Sequence, residues 1–272
     1  MPNNNRLCVE DLAIVSIIIP TKNNGATITR CLGSIRDQTY RATEIILVDS
    51  FSTDDTARIA ESMGARVLTM EGERTKAKNH ALSICRGRYV CFVDSDMILG
   101  QKVIEQCVES CKANAAGVII PERSIGNGFW VGVRDFERSL YRGSKIESAR
   151  FFDREIALQA GGFDEEVIAY EESTLPQKIE ALGYRVDART SDAILHDESN
   201  FKLAKWLLKK KYYGKTATAY VKKYPSYGAA QMGIRYRIML MTGKGQWRTL
   251  LRYPLKSVGL FALKFLEYLY SR

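Results

Sequence analysis

The chain is predicted to be α/β: a mostly parallel sheet with helices on both faces, followed by C-terminal amphipathic helices. Two observations carry this. Short apolar runs of strand length alternate with helically spaced segments through the first hundred residues, and two of those runs stop abruptly in acids.

The elements follow in order. Residues 15–19 (Val-Ser-Ile-Ile-Ile) read as a buried strand, closed by Pro20 and the polar turn at 21–25. Helical spacing then runs from 26 to about 38, with Ile28, Leu32 and Ile35 on one face. Residues 44–49 form a second strand ending in Asp49, and Ser52-Thr53-Asp54-Asp55-Thr56 caps a helix that runs to about residue 63. A third strand spans 65–70, a helix 76–86, and a fourth strand 89–93 (Tyr-Val-Cys-Phe-Val) leads into Asp94-Ser95-Asp96. Strands separated by helices imply parallel pairing through right-handed crossovers. The second half is less regular. It offers a strand at 118–120, a turn at 126–128, a helix at 134–141 and a loop at Gly161-Gly162-Phe163-Asp164. A helix at 175–182 is stopped by Gly183, and a short strand follows near 184–186.

Open α/β sheets bind ligands beyond the carboxyl ends of their strands, so Asp49 and Asp94 are placed to share one crevice. Carboxylates at i and i+2, as in Asp94 and Asp96, can turn toward one hard cation such as Mg²⁺ or Mn²⁺ bridging a diphosphate. The plain alternative for such a pair is a solvated turn or a helix cap.

At 272 residues, 46% hydrophobic and 26% charged, the chain has room for one main domain plus an appendage. Its net charge of +9 is concentrated at one end. Residues 200–272 hold 16 Lys or Arg against the single acid Glu267, whereas the first 199 residues hold 24 basic and 30 acidic side chains. A tail of that density points to an anionic partner surface. The 6 cysteines, Cys8 among them, include no Cys-x-x-Cys pair and read as free thiols. With only 2 histidines, a structural zinc site is not expected. Residues 1–10 are polar and lack a signal-peptide core, which together with the thiols implies a cytosolic setting.

In the tail, Phe201, Ala204, Leu207, Leu208 and Tyr212 share a helical face flanked by Lys202, Lys205, Lys209, Lys210 and Lys211. Residues 255–270 repeat the theme with Val258, Phe261, Leu266 and Leu269. No run approaches the roughly 20 apolar residues that span a bilayer, but basic amphipathic helices with interspersed Trp and Tyr fit an anionic lipid surface. The plain alternative packs these helices on the domain with their lysines solvated.

At this point the residues support a family. Val15-Ser16-Ile17-Ile18-Ile19-Pro20-Thr21-Lys22-Asn23, then Ile46-Leu47-Val48-Asp49-Ser50-Phe51-Ser52-Thr53-Asp54-Asp55-Thr56, then Phe92-Val93-Asp94-Ser95-Asp96 resemble glycosyltransferase family 2. Gly161-Gly162-Phe163-Asp164-Glu165 and Glu171-Glu172-Ser173-Thr174-Leu175, followed by Gly183-Tyr184, resemble the second half of the same pattern. The resemblance implies a GT-A domain over residues 14–199, between an N-terminal extension at 1–13 and a basic helical region at 200–272. It implies an inverting, metal-dependent transferase using a nucleotide-diphospho-sugar such as a GDP- or UDP-sugar.

Carried over position by position, Pro20, Thr21 and Asn23 would line the nucleotide and Asp49 would contact the base. Lys78 and Asn79 stand at the Arg-Asn of the family's Ala-Arg-Asn, near the nucleotide and diphosphate. Asp94, with Ser95 beside it, would face the ribose or the metal, and Asp96 would bind the metal. Glu172, paired with Glu171, stands at the catalytic Asp, and His196 where some members place a further metal or diphosphate contact. The chemistry agrees with those roles: a hydroxyl attacking an anomeric carbon needs a general base, and the departing diphosphate needs its charge neutralised. Arg150 and Arg154 are open between holding phosphate and pairing with Asp153 and Glu155.

The chain also departs from the pattern. Ser50-Phe51 replaces the usual Asp-Gly, Glu172 is one methylene longer than Asp, and Thr174 stands where a second Asp is frequent. The Gln/Arg-x-x-Arg-Trp motif of processive synthases is missing, with Gln246-Trp247-Arg248 the nearest fragment. The expected protein is a single-addition enzyme, peripheral on the cytosolic face of a membrane, with a lipid-linked acceptor of polyprenyl or dolichyl type. One alternative is a soluble transferase acting on a protein or polysaccharide. Another is a non-catalytic nucleic-acid binder using the basic tail, which no nucleic-acid motif supports, so nucleic acid is not an expected partner. A nucleotidyltransferase is disfavoured because no Gly-rich loop follows Ile19.

Overall fold

The computed structural model describes residues 13–243 and 245–270. The expected N-terminal extension lies outside the described residues apart from Ala13, as does Cys8. Elements are numbered in chain order: β1 (Val15–Thr21), α1 (Gly25–Arg36), β2 (Thr43–Asp49), α2 (Thr56–Ser62), β3 (Arg66–Thr69), α3 (Arg74–Ile84), β4 (Tyr89–Phe92), β5 (Met97–Leu99), α4 (Val103–Lys112), β6 (Gly117–Ile119), β7 (Glu122–Ile125) and α5 (Phe129–Tyr141). Then come β8 (Ala149–Asp153), α6 (Arg154–Gln159), a 3-10 turn at Glu171–Ser173, α7 (Thr174–Ala181), β9 (Ala188–Arg189) and β10 (Ile194–Asp197). Five helices complete the chain: α8 (Leu203–Lys223), α9 (Pro225–Met232), α10 (Ile234–Thr242), α11 (Gln246–Arg252) and α12 (Pro254–Tyr270).

A seven-stranded sheet runs β3-β2-β1-β4-β8-β6-β9, and a small one runs β5-β10-β7. The first four expected strands pair in parallel, with Thr21 opposite Asp49 and Ile18 opposite Phe92. That register brings Pro20, Asp49 and Asp94 to the same carboxyl edge. β8 is antiparallel to both β4 and β6, so the sheet is mixed at its centre.

Alternation along buried strands splits the core in two. Ile17 and Ile19 join Leu32, Cys91 and Phe151 on one face, whereas Ile18 joins Ile46, Phe92, Phe152 and Ile179 on the other. Cys31, Cys85, Cys91 and Cys107 are buried free thiols and Cys111 is a partly buried one.

β5, α4, β7, β8, α6 and β10 have no counterpart in the sequence reading. Apart from α4 they are short, and β8 carries a charged residue, Arg150, beside its apolar residues and ends in another, Asp153. The strand expected near 184–186 lies at Ala188–Arg189, and the helix expected from 134 begins at Phe129.

The tail is docked. Val133, Phe136 and Leu140 of α5 pack with Met241, Leu260 and Leu263 in a third cluster. Gly259 permits the close approach, since a Cβ there would lie 2.6 Å from the Phe129 ring and 2.7 Å from Val133. Lys264 of α12 reaches Glu137 at 2.5 Å and Glu267 at 2.7 Å, and Trp206 Nε1 of α8 donates to Glu267 at 2.7 Å. Among the described residues no helix is long and apolar enough to cross a membrane.

Candidate active site

β4 ends at Phe92, and the chain turns through Asp94, Ser95 and Asp96 into β5, with the Met97 amide donating to the Asp94 carbonyl at 3.0 Å. The Asp197 amide of β10 donates to the Asp96 carbonyl at 2.8 Å, so the small sheet fixes the far side of the turn. The result is an open crevice of about 980 Å³ whose lining includes Pro20, Thr21, Asp94, Ser95, Asp96 and His196. Six of the residues singled out from sequence therefore meet there.

The remaining ones stand around it. Asp49 is buried and accepts from the Ser52 amide at 2.9 Å and from the Ser52 hydroxyl. Asn23 has a left-handed φ of 53°, donates its amide to Ser52 Oγ at 2.8 Å and accepts from the Thr53 amide at 2.8 Å. Both thus hold the 50–53 loop, whose first residue Ser50 lines the crevice. The Asn79 side chain accepts from the Phe163 amide at 2.8 Å and donates to its carbonyl at 2.9 Å. Gly162 makes room for it: φ is +63° and a Cβ would meet Asn79 Oδ1 at 2.5 Å. Lys78 is buried 3.7 Å from Glu171 Oε1.

Glu171 and Glu172 lie in the 3-10 turn that follows Tyr170, itself left-handed at φ 65°. Thr174 Oγ1 donates to the Glu171 carbonyl at 2.8 Å, and Ser173 Oγ receives Gln231 Nε2 at 2.8 Å, which pins the turn. Glu171 and residues of α3 and α8 line a second recess of about 400 Å³, and Glu73, Arg74 and Lys209 line both spaces. The two are therefore neighbouring chambers of one site.

The charges are strongly coupled. Burial opposes the charge of Asp94, yet Arg150, Lys78 and Arg74 hold its carboxyl well below the usual range. Arg150 Nη2 lies 3.3 Å from Asp94 Oδ2, and Arg74 Nη1 3.9 Å from Oδ1. Burial and the adjacent Glu172 push Glu171 up to about 7 despite Lys78 and Arg74. Glu172 stays low although burial resists its charge, because Glu171 hydrogen-bonds to it and Lys78 and Arg150 face it. Below about pH 7 the pair therefore shares a proton, with Glu171 the member shifted toward holding it and Glu172 the one shifted toward ionisation. His196 Nε2 is 3.2 Å from Asp96 Oδ2, and Nδ1 is 2.9 Å from Arg138 Nη2. Burial works against the imidazolium, but hydrogen bonds and charge from Asp96 and Glu122 raise its pKa to about 9.

Arg74, Glu122 and Arg138 escaped the sequence reading because isolated charges carry no spacing signal, and from sequence Lys209 reads as a flank of the tail helix and not as part of the site. Arg150 pairs with Asp94 and, through Nε at 2.8 Å, with Glu122. Asp153 instead caps α6, its Oδ1 accepting from the Glu155 amide at 3.0 Å. Arg154 Nε is directed to the Leu82 carbonyl at 3.3 Å.

Asp96 Oδ1 is buried without a hydrogen-bond partner, which fits a cation at this position. Among the described residues no three His, Cys, Asp or Glu side chains form a cage of their own. Such an ion therefore needs oxygen donors from a ligand and water, as Mg²⁺ and Mn²⁺ commonly take from phosphates. His196 must shed its proton to join them.

The profile of the family described as "Glycosyl transferase family 2" matches residues 16–163. Among curated proteins, glycosyltransferase GlyG of Streptococcus pneumoniae serotype 4 (strain ATCC BAA-334 / TIGR4) is 35% identical over 136 residues, 45% of each chain. The Escherichia coli UDP-Glc:α-D-GlcNAc-diphosphoundecaprenol β-1,3-glucosyltransferase WfaP is 40% identical over 90 residues, 31% of this chain and 36% of that one. The aligned stretch covers under half the length of these relatives. Among solved structures, the mannosyltransferase PcManGT of Pyrobaculum calidifontis, in complex with GDP-Man and Mn²⁺, superposes with a TM-score of 0.63. It is 19% identical, with 94% of this chain and 86% of that one covered. Staphylococcus aureus TarS 1–349 with UDP-GlcNAc gives 0.55 at 20% identity, covering 75% and 66%. These likenesses establish the GT-A fold.

Proposed function

Because this chain belongs to glycosyltransferase family 2, we propose that it moves one sugar from a nucleotide-diphospho-sugar to an acceptor hydroxyl or phosphate, with inversion at the anomeric carbon. The observation that carries this reading is the junction of the two chambers. The acids that end β4 face one, the Glu171-Glu172 turn borders the other, and Arg74 and Lys209 span both.

On this reading residues 14–199 are the catalytic domain, with Pro20, Thr21 and the loop held by Asn23 and Asp49 forming the nucleotide wall. Lys78 and Arg150 keep Glu172 ionised, so that it takes the proton of the acceptor as the new bond forms. Proton transfer of this kind contributes about 10²–10⁴-fold. Asp94 is fixed by Arg150, Arg74 and Asp96 border the donor diphosphate, and one base opposite one leaving group suffices for a single displacement. Asp96 and His196 would hold a divalent cation, which would supply charge neutralisation for that diphosphate.

A lipid-linked acceptor at an anionic membrane surface on the cytosolic side is supported by the outer face of the tail. Leu255, Val258, Phe261, Phe265 and Leu269 of α12 are exposed along one flank, with Trp247 and Leu251 of α11 leading into it. Arg252 is exposed beside them. A stripe of apolar residues flanked by cations is what an interfacial helix presents to lipid. WfaP is, by its name, a transferase acting on a diphosphoundecaprenol acceptor.

The test is a thermal-shift panel of GDP, UDP and their sugars with and without Mn²⁺, on the full chain and on Asp96→Ala. Stabilisation by one nucleotide that requires Mn²⁺ and is lost in the variant is expected, and a ligand at 100 times its Kd adds about 2.7 kcal/mol. No response to any nucleotide, with salt-sensitive binding to RNA or DNA instead, overturns the reading.

A further inference from the structure

The basic tail is more than a surface. Lys209 sits on α8, seven residues into the helix, and lines both chambers. Asp94, Asp96 and Glu172 all act on it electrostatically. Among the described residues it has no carboxylate partner; its ammonium lies 5.5 Å from the centre of the Tyr213 ring. Tyr213 in turn receives Arg74 Nη2 at 2.9 Å, so α8 also positions the other cation shared by the two spaces.

Arg74 and Lys209 line the same opening together with Glu73. Burial and the nearby Arg74 draw the Lys209 ammonium below its ordinary pKa, while Asp94, Asp96 and Glu172 act in the opposite sense. Arg74 is already committed to Glu171 at 3.4 Å and Asp94 at 3.9 Å, which leaves Lys209 as the uncommitted donor. An ammonium on a flexible stem with three donors is a common phosphate ligand.

We propose that Lys209, held over the junction of the two chambers by α8, is a phosphate-binding residue of the active site, with Arg74 and Tyr213 as its fixed neighbours. The proposal rests on the glycosyltransferase reading. The phosphate belongs either to the donor diphosphate or to a phosphate on the acceptor, and the chemistry of recognition is the same. On either source the tail helix is part of the catalytic machinery, and folding α8 onto the domain completes the site.

The experiment is calorimetric titration of the full chain with UDP, GDP and inorganic pyrophosphate in the presence of Mn²⁺, and separately with farnesyl phosphate. Lys209→Ala is compared with Lys209→Arg and with Lys211→Ala, which removes an exposed charge about 200° round the same helix. The expected result is a loss of about tenfold or more for the diphosphates in Lys209→Ala, as for a charge-assisted hydrogen bond. Lys209→Arg recovers most of it, and Lys211→Ala changes nothing beyond twofold. A loss confined to farnesyl phosphate sustains the proposal with the acceptor as source. Unchanged affinities for every probe in Lys209→Ala, or an equal loss in Lys211→Ala, overturn it. If the unaltered chain binds neither UDP nor GDP, the glycosyltransferase reading itself fails and the proposal falls with it.

Discussion

Arg150 of β8 stands 3.3 Å from Asp94, steadying the acid that follows the neighbouring antiparallel strand β4. The same guanidinium donates to Glu122 at 2.8 Å, so one buried cation serves two carboxylates from different sheets. Removing one partner of a buried pair leaves uncompensated charge and costs about 3–5 kcal/mol. Arg150→Met is expected to lower stability on that scale in urea melts at pH 7.

The pH dependence of that loss follows from the sign of the shift. The Asp94 carboxyl is depressed in the folded protein, so its contribution is present above its unfolded pKa of about 3.9 and is lost as pH falls through its lower folded value. The stability gap between the unaltered chain and Arg150→Met is therefore expected to close as pH drops below about 4. A gap independent of pH would show that packing, not charge, is what Arg150 provides.

Glu171 and Glu172 are expected to part company on mutation. Glu172→Gln removes the ionised base and is expected to reduce kcat by about 10²–10⁴-fold with nucleotide affinity intact. Glu171→Gln preserves the protonated form and is expected to be milder, measured by single-turnover transfer. Because the folded pKa of Glu171 is raised to about 7, its stabilising contribution is present below the unfolded value and lost as pH rises toward neutrality. Glu171→Gln should therefore flatten the decline of stability between about pH 4.3 and 7.

Leu260 is fully buried between α12 and α5. Leu260→Ala is expected to cost about 2–5 kcal/mol if the tail unfolds with the domain. A separate low-temperature transition in calorimetry, with the main one unmoved, would show instead that α12 opens on its own.

The outer face of the same helix should behave oppositely. Phe261→Glu and Phe265→Glu alter exposed positions and are expected to leave Tm within about 2 °C. Both should abolish co-sedimentation with vesicles containing phosphatidylserine. Binding that persists in the double variant would remove the membrane from the proposed function.

The repeat of buried strand and helix up to Asp94 was legible because each element there is longer than a turn and apolar by period. Ile17, Ile18 and Ile19 announce a strand covered on both faces, and the structure places them in two separate cores. β8 was not legible: it is five residues long and carries Arg150 inward, a charge that only its partners make tolerable. β10 was hidden for the same reason, since His196 and Asp197 look like polar loop until Asp96 and Glu122 are seen against them. α12 was visible as an amphipathic helix, but not which face it turns inward. Close approach at Gly259 and the Lys264 pair with Glu137 select the Leu260 face, leaving Val258 and Phe261 outside.

The sequence by itself determined the family, the parallel half of the sheet and the acids at the strand end, because local periodicity and short motifs are written in neighbouring residues. Tertiary structure alone decided which charges meet. Arg74, Glu122, Arg150 and Lys209 come from four separate elements, and their pairing depends on distances that no sequence separation encodes. It also decided protonation, because whether Glu171 or Glu172 keeps the proton depends on burial and on cations brought from α3 and β8.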